Sequence, residues 1–477
     1  MSRAAVIIAV VVCYQIALLA IGWWATRRNH DNTDYYLGGR KLGPVVASLS
    51  AATSSSSAWS LLGVSGAAFA WGVQAIWLIP AVLAGFVINW FLIAPRMHRA
   101  SHANQAVTLM EFISIDATSS EQTRNRLIRQ LAALIVLFCF AFYIAAQFEG
   151  AGNTFAQFLP ISPALAIVIG ASVVMLYVFL GGFWAASVTD ALQGVVMFAV
   201  ALLLPITALL AVGGIAPLLQ GLADIGEPGL LAVVDQPTRW LSIVFIAGLF
   251  GIGLGYPGQP HVVNRFMALE RAADIPRARW ISIIWALIIF SGMVLLGLCA
   301  RVLIGDLDNP ENALFAISDV LMPSLLAGIV IAAALSAIMS TADSQLLTAA
   351  SAVSHDLQQQ SMQRARVVVL ALGVIAVLLA IYSPRSIFER VLFAWQALGS
   401  AFGPILVVLL WLGPIKTNWK LAAMLAGFLG TVALSFQPSA PGDAAERLLP
   451  LFAALMLALI GHYRQQTLSK STLVSTR

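Results

Sequence analysis

Two stretches of this sequence place oxygen-bearing side chains where their surroundings are almost wholly apolar. One is Ala337-Ile338-Met339-Ser340-Thr341-Ala342-Asp343-Ser344-Gln345; the other is SAATSSSSAW, Ser50 to Trp59, with Thr53 followed by Ser54 to Ser57. In the first, Ser340 and Thr341 present hydroxyls side by side, and the Ala337 carbonyl lies about one helical turn back on a nearby face. Hard monovalent cations take several oxygen ligands and tolerate neutral ones. Backbone carbonyls of Thr53 and Ser56, freed where a helix unwinds, would complete such a cage with Ala337, Ser340 and Thr341. The plainer alternative is an interhelical hydrogen-bond cluster. One or two hydroxyls can also bond back to the carbonyl one turn earlier. A run of five covers every face of a helix, which favours a polar lining at an unwound point.

Acidic residues inside a membrane are costly and point to function. Asp190 lies in SVTDALQ, Asp343 in the motif above, and Glu149 in YIAAQFEGAGN. Glu149 is a candidate charge partner: it could neutralise an amine, carry a proton or face outer water. The six histidines lie mostly in or beside polar stretches and form no metal-ligand pair, so they read as solvated or interfacial. The three cysteines, Cys13, Cys139 and Cys299, are solitary and read as packing residues. No nucleophile–base or metal constellation suggests an enzyme, and no cofactor is expected.

The elements that must position these groups are membrane helices. Of 477 residues, 60% are hydrophobic and only 10% charged, where a soluble chain carries about a quarter charged. Thirteen spans are expected near 4–25, 43–72, 73–95, 126–157, 162–184, 187–213, 240–264, 280–304, 317–353, 365–382, 389–412, 420–436 and 445–463. They are too long and apolar for barrel strands, so the fold class is an all-α polytopic membrane protein. Of the 26 Lys and Arg residues, only Arg3, Arg239, Arg301, Arg385, Arg390 and Arg447 fall outside if the N-terminus is outside. That bias orients the chain N-out and C-in across the cell membrane. It also explains the net charge of +5 without nucleic acid. The first run is followed by Trp-Trp-Ala-Thr-Arg-Arg, with no cleavage site, and reads as an anchor.

The second and seventh spans are interrupted, the seventh by GLFGIGLGYPGQPH, Gly248 to His261. Its G-x-G-x-x-G match follows no strand and is accidental. Breaks five spans apart cross in opposite directions, the pattern of two inverted five-helix repeats around a midplane site. Spans 2–6 (43–213) and 7–11 (240–412) would be the repeats, with 1–42 and 420–463 peripheral and 464–477 a short polar, disordered cytoplasmic tail. The inner half of span 2 would end in carbonyls suited to a cation. The outer half would begin with amides suited to a carboxylate.

DYYLGGRKLG (Asp34–Gly43), SAATSSSSAW, GGFWAASVTDALQ (Gly181–Gln193), GYPGQPHVVNRFMA (Gly255–Ala268) and MSTADSQLL (Met339–Leu347) resemble the solute:sodium symporter family, nearest its sodium/proline branch. The resemblance covers nearly the whole chain and implies alternating access with Na⁺-driven uptake. It assigns the main cation site to the carbonyls of Thr53, Ser56 and Ala337 and the hydroxyls of Ser340 and Thr341. It relates Asp190, with Asp343 nearby, to a second cation site or a release route. It implies solute contacts at Ser57, Tyr143, Tyr256 and Pro260, with Gln259 and Trp395 as neighbours. Two departures stand out: the proline branch has an aspartate at Ser55 and a tryptophan at Ile252. The expected function is a secondary transporter coupling Na⁺ influx to uptake of a small organic solute, proline first and a small carboxylate next. A solute sensor on the same fold and a proton-coupled symporter are the alternatives.

Overall fold

A computed structural model describes residues 2–26, 37–115, 122–157, 159–178, 182–356, 362–382, 386–437 and 441–475. Arg27, Arg28, Asp34, Tyr35, Tyr36, Gly181 and Arg385 lie outside the described residues. Helix covers most of each of the thirteen expected spans among the described residues. Among the described residues, nine helical runs are long and apolar enough to cross a membrane, and no strand forms. One of those runs, Pro44–Ala103, joins the second and third spans. The chain turns between them at Gly72, whose positive φ of 68° no L side chain adopts readily. A Cβ there would lie 2.2 Å from the Leu230 carbonyl oxygen.

Hydrophobic burial grades from rim to centre. Only 17% of the first span's most apolar window is enclosed, against 83% for the ninth and 94% for the eleventh. The polar residues of interest lie on those central helices. The second span packs against the sixth, eighth and ninth. Its start is also pinned to the end of the seventh: the Leu42 amide donates to Ala268 O (3.1 Å), and the Glu270 amide to Leu42 O (3.0 Å).

Three expectations are corrected. The segment after Tyr463 continues the last helix to Ser475 rather than being disordered; it contains neither Gly nor Pro to stop it. Arg265, counted among cytoplasmic loop charges, is buried in the bundle. His98, His261 and His462 are likewise buried rather than solvated. His98 and His462 use ring nitrogens on the carbonyls of Leu269 and Pro414, at 2.9 and 3.0 Å.

Candidate cation and solute site

The helix Pro44–Ala58 departs from helical geometry at Ser57, with φ 58° and ψ −177°, and continues as a π-helical turn over Trp59–Gly63. That conformation strains a non-glycine residue, and it is held by capping. The Ala58 amide donates to Gln147 Oε1 at 2.9 Å, and the Trp59 amide to Ser57 Oγ at 3.1 Å. Two of the amides expected to face a solute carboxylate are therefore met by side chains.

The serine run works differently from the expected polar lining. Thr53, Ser54, Ser55 and Ser56 turn their hydroxyls back onto carbonyls one turn earlier, Leu49 O, Ala51 O and Ala52 O, at 2.7–3.4 Å. Self-satisfied hydroxyls leave the backbone as the polar surface the segment offers its neighbours. Thr341 Oγ1 lies 3.4 Å from Thr53 O, joining the second span to the ninth. Ser340 Oγ lies 3.3 Å from Ala337 O on the same helix. The Ser56 carbonyl accepts from the Trp59 amide. The five proposed cation ligands are all fully buried, and across the interface Gly194 leaves room for Thr53: a Cβ there would meet Thr53 Cγ2 at 2.8 Å.

The second break is written into composition. The helix Arg239–Leu254 ends, Tyr256–Gly258 form a 3₁₀ turn, and the helix Pro260–Ala268 begins after extended Gln259. Close approach requires its glycines. A Cβ on Gly258 would sit 2.6 Å from Leu398 O, and one on Gly255 2.8 Å from Trp395 Nε1. Trp395 donates its indole N–H to Ile252 O at 3.0 Å, so the backbone at 252 anchors a tryptophan of the eleventh span.

The residues assigned to the solute do converge. The Tyr256 and Trp395 rings meet edge-on at 4.5 Å, and Tyr143 stands 6.5 Å from Trp395. Ser57 faces the Tyr143 phenol, and Ser55 faces that of Tyr256. Gln259 Nε2 donates to Gly255 O (3.0 Å) and Trp395 O (2.8 Å). Pro260 opens the following helix beside them.

Two of the three intramembrane acids, Asp190 and Glu149, are paired with arginines. Asp190 Oδ2 accepts from Ser50 Oγ at 2.7 Å and from Arg265 Nη2 at 3.2 Å. Arg265 also reaches Ser50 Oγ (3.0 Å), His261 O (2.6 Å) and Ser344 Oγ (2.5 Å). Asp343 Oδ1 accepts from Ser344 Oγ at 3.1 Å. This network ties the second, sixth, seventh and ninth spans together and places a resident guanidinium beside Asp190. Glu149 pairs with Arg390 of the eleventh span. Outside the spans, Glu311 accepts from the amides of Ile387 (3.3 Å) and Phe388 (2.9 Å), capping that same helix. Burial pushes the Glu311 carboxyl above its usual range, against the pull of those amides.

Sequence reasoning missed Gln147, His261, Arg265, Ser50 and Ser344. Gln147 carried a usable signal, since it lies four residues from Tyr143 on one helix face. Arg265 carried none, because a basic residue near a span end reads as a loop charge.

Residues 35–427 match the model of the sodium:solute symporter family. The osmoregulated proline transporter OpuE of Bacillus subtilis is 35% identical over 93% of this chain and 92% of its own. The sodium/proline symporter of Escherichia coli is 32% identical over 88% and 86%. Among solved structures, a Na⁺-coupled sialic acid symporter in a substrate-bound outward-open state superposes with TM-score 0.76 at 17% identity, covering 96% of this chain and 97% of its own. The nucleobase-cation-symport-1 transporter Mhp1, in a closed conformation, superposes with TM-score 0.59 at 16% identity, covering 93% and 96%. The fold is therefore that of cation-coupled transporters, and this multi-pass membrane chain belongs to the sodium:solute symporter family.

Proposed function

We propose that this Na⁺-coupled symporter takes up a small amino acid, proline foremost, with one Na⁺ bound by the carbonyls of Thr53, Ser56 and Ala337 and the hydroxyls of Ser340 and Thr341. The observation that carries the reading is the 3.4 Å approach of Thr341 Oγ1 to Thr53 O, four residues from the strained turn at Ser57. A cation there would pull the ninth span onto the second and fix the geometry of the residue that faces Tyr143. The solute would lie among Ser57, Tyr143, Tyr256, Gln259, Pro260 and Trp395. Each ligand then favours the conformation the other needs, and that shared preference is the coupling.

Repeats 43–213 and 240–412 would rock about this site, with the N-terminus outside and the C-terminus cytoplasmic. Asp190 and Asp343 would lie on the release route. The Arg265 guanidinium, already paired with Asp190, supports a structural rather than a second-cation role for that carboxylate. Glu149, paired with Arg390, would lock the outer ends of the fourth and eleventh spans. No cofactor takes part in this scheme.

Labelled proline uptake into proteoliposomes under separately imposed Na⁺ and H⁺ gradients tests it. Uptake should follow the Na⁺ gradient. Uptake that follows pH alone would move the assignment to proton coupling.

A further inference from the structure

We propose that His261, with Gln259, is the acceptor pair that recognises the amino group of the transported solute, and so restricts transport to solutes bearing N–H donors. The inference rests on the assignment of Tyr143, Tyr256 and Trp395 to the solute. His261 is the second residue of the helix that follows the second break and has no exposed surface. Its ring stands among three aromatic neighbours, Phe140 at 5.6 Å, Tyr143 at 6.2 Å and Trp395 at 6.5 Å, each near perpendicular. The Ser54 carbonyl faces the ring and can take one ring N–H, and the other ring nitrogen has no partner among the described residues. Buried polar atoms are nearly always satisfied, so an imidazole set this way points to a ligand.

The chemistry of that ligand follows from what the neighbours still offer. Both amide hydrogens of Gln259 are spent, on Gly255 O and Trp395 O, which leaves Oε1 as a bare acceptor. A neutral imidazole keeps one nitrogen as donor and one as acceptor. With one ring N–H directed at the Ser54 carbonyl, the other nitrogen is left as the acceptor. Two bare acceptors, two residues apart and walled by Tyr and Trp, fit a group with at least two N–H bonds. An ammonium also gains from aromatic faces. Asp190 is engaged by Arg265 and Ser50 through Oδ2.

The test uses the full chain in proteoliposomes under a Na⁺ gradient. It competes labelled proline with proline, N-methylproline, N,N-dimethylproline and tetrahydrofuran-2-carboxylate, which present two, one, no and no N–H bonds. Inhibition should weaken by about ten-fold or more from the first to the third, the loss expected of a hydrogen bond to a charged group. In His261→Phe the KM for proline should rise about ten-fold, and the preference for proline over N-methylproline should shrink. His261→Gln, which restores an acceptor, should recover part of both. Na⁺-dependent thermal stabilisation without solute should persist in both variants and serves as the control for folding. Two results would overturn the inference while leaving Na⁺ coupling in place: equal inhibition by tetrahydrofuran-2-carboxylate, or an unchanged KM and preference in both variants. If the wild type shows no Na⁺-dependent uptake of proline, the underlying solute assignment falls together with it.

Discussion

In the second span the chain leaves helical geometry at Ser57, a non-glycine residue; in the seventh it does so through Gly255-Tyr256-Pro257-Gly258. The glycine–proline break is local. Proline removes a donor, glycine relaxes the backbone, and the absent Cβ atoms admit Leu398 and Gly399 of the eleventh span. The serine break is imposed from outside, by Gln147 holding the Ala58 amide and by the packing of the ninth span on Thr53. A break made by composition persists without its neighbours, whereas one made by tertiary contacts can change as those neighbours move. In the proposed scheme, the contrast makes the serine break, beside the proposed cation ligands, the responsive joint and the glycine–proline break the fixed one.

The contrast can be tested by uncoupling its parts. Arg265 bridges the two breaks, linking the segment after one to Ser50 before the other. Arg265→Met should leave Asp190 an uncompensated buried charge and cost about 3–5 kcal/mol in denaturant unfolding. Adding Asp190→Asn should recover most of that loss. Gly258→Ala should cost about 3 kcal/mol, because the new methyl meets the Leu398 backbone rather than a movable side chain. Gln147→Ala should cost about 1–2 kcal/mol through the orphaned Ala58 amide. It should also weaken Na⁺-dependent uptake beyond what that loss explains, since only the serine break depends on this residue. Ser57→Gly, the smallest effect, should raise stability by about 1 kcal/mol by relieving the strained dihedral, yet raise the KM for solute through the missing hydroxyl. A fall in stability there would mean that Ser57 Oγ on the Trp59 amide outweighs the strain.

The sequence made the elements legible because membrane spans need long apolar runs, and polar backbone at that depth has few solutions. The Gly255–Gly258 break was equally plain, since glycine and proline act locally. The candidate cation ligands could be named from sequence because Ser340 and Thr341 are conspicuous in an apolar helix. Other features stayed hidden because they depend on distant partners. Five successive hydroxyls suggested a lining, yet Thr53 and Ser54 to Ser56 bond to their own helix, and only the fold shows that choice. Arg265 looks like a loop charge until the short helix Pro260–Ala268 turns inward to meet Asp190. His261 sits beside a proline in a polar-looking motif, and its burial comes from rings on the fourth and eleventh spans.

The most direct test of Na⁺ coupling through the joint at Thr53 and Thr341 is equilibrium binding of proline to the purified protein in Na⁺ and in K⁺. It should be run for the wild type and for the double variant Ser340→Ala, Thr341→Ala. Wild-type affinity should be at least about ten-fold higher in Na⁺, a coupling of about 1.4 kcal/mol, and the variant should bind equally weakly in both salts. Equal wild-type affinity in the two salts, or an unchanged Na⁺ effect in the variant, would contradict it.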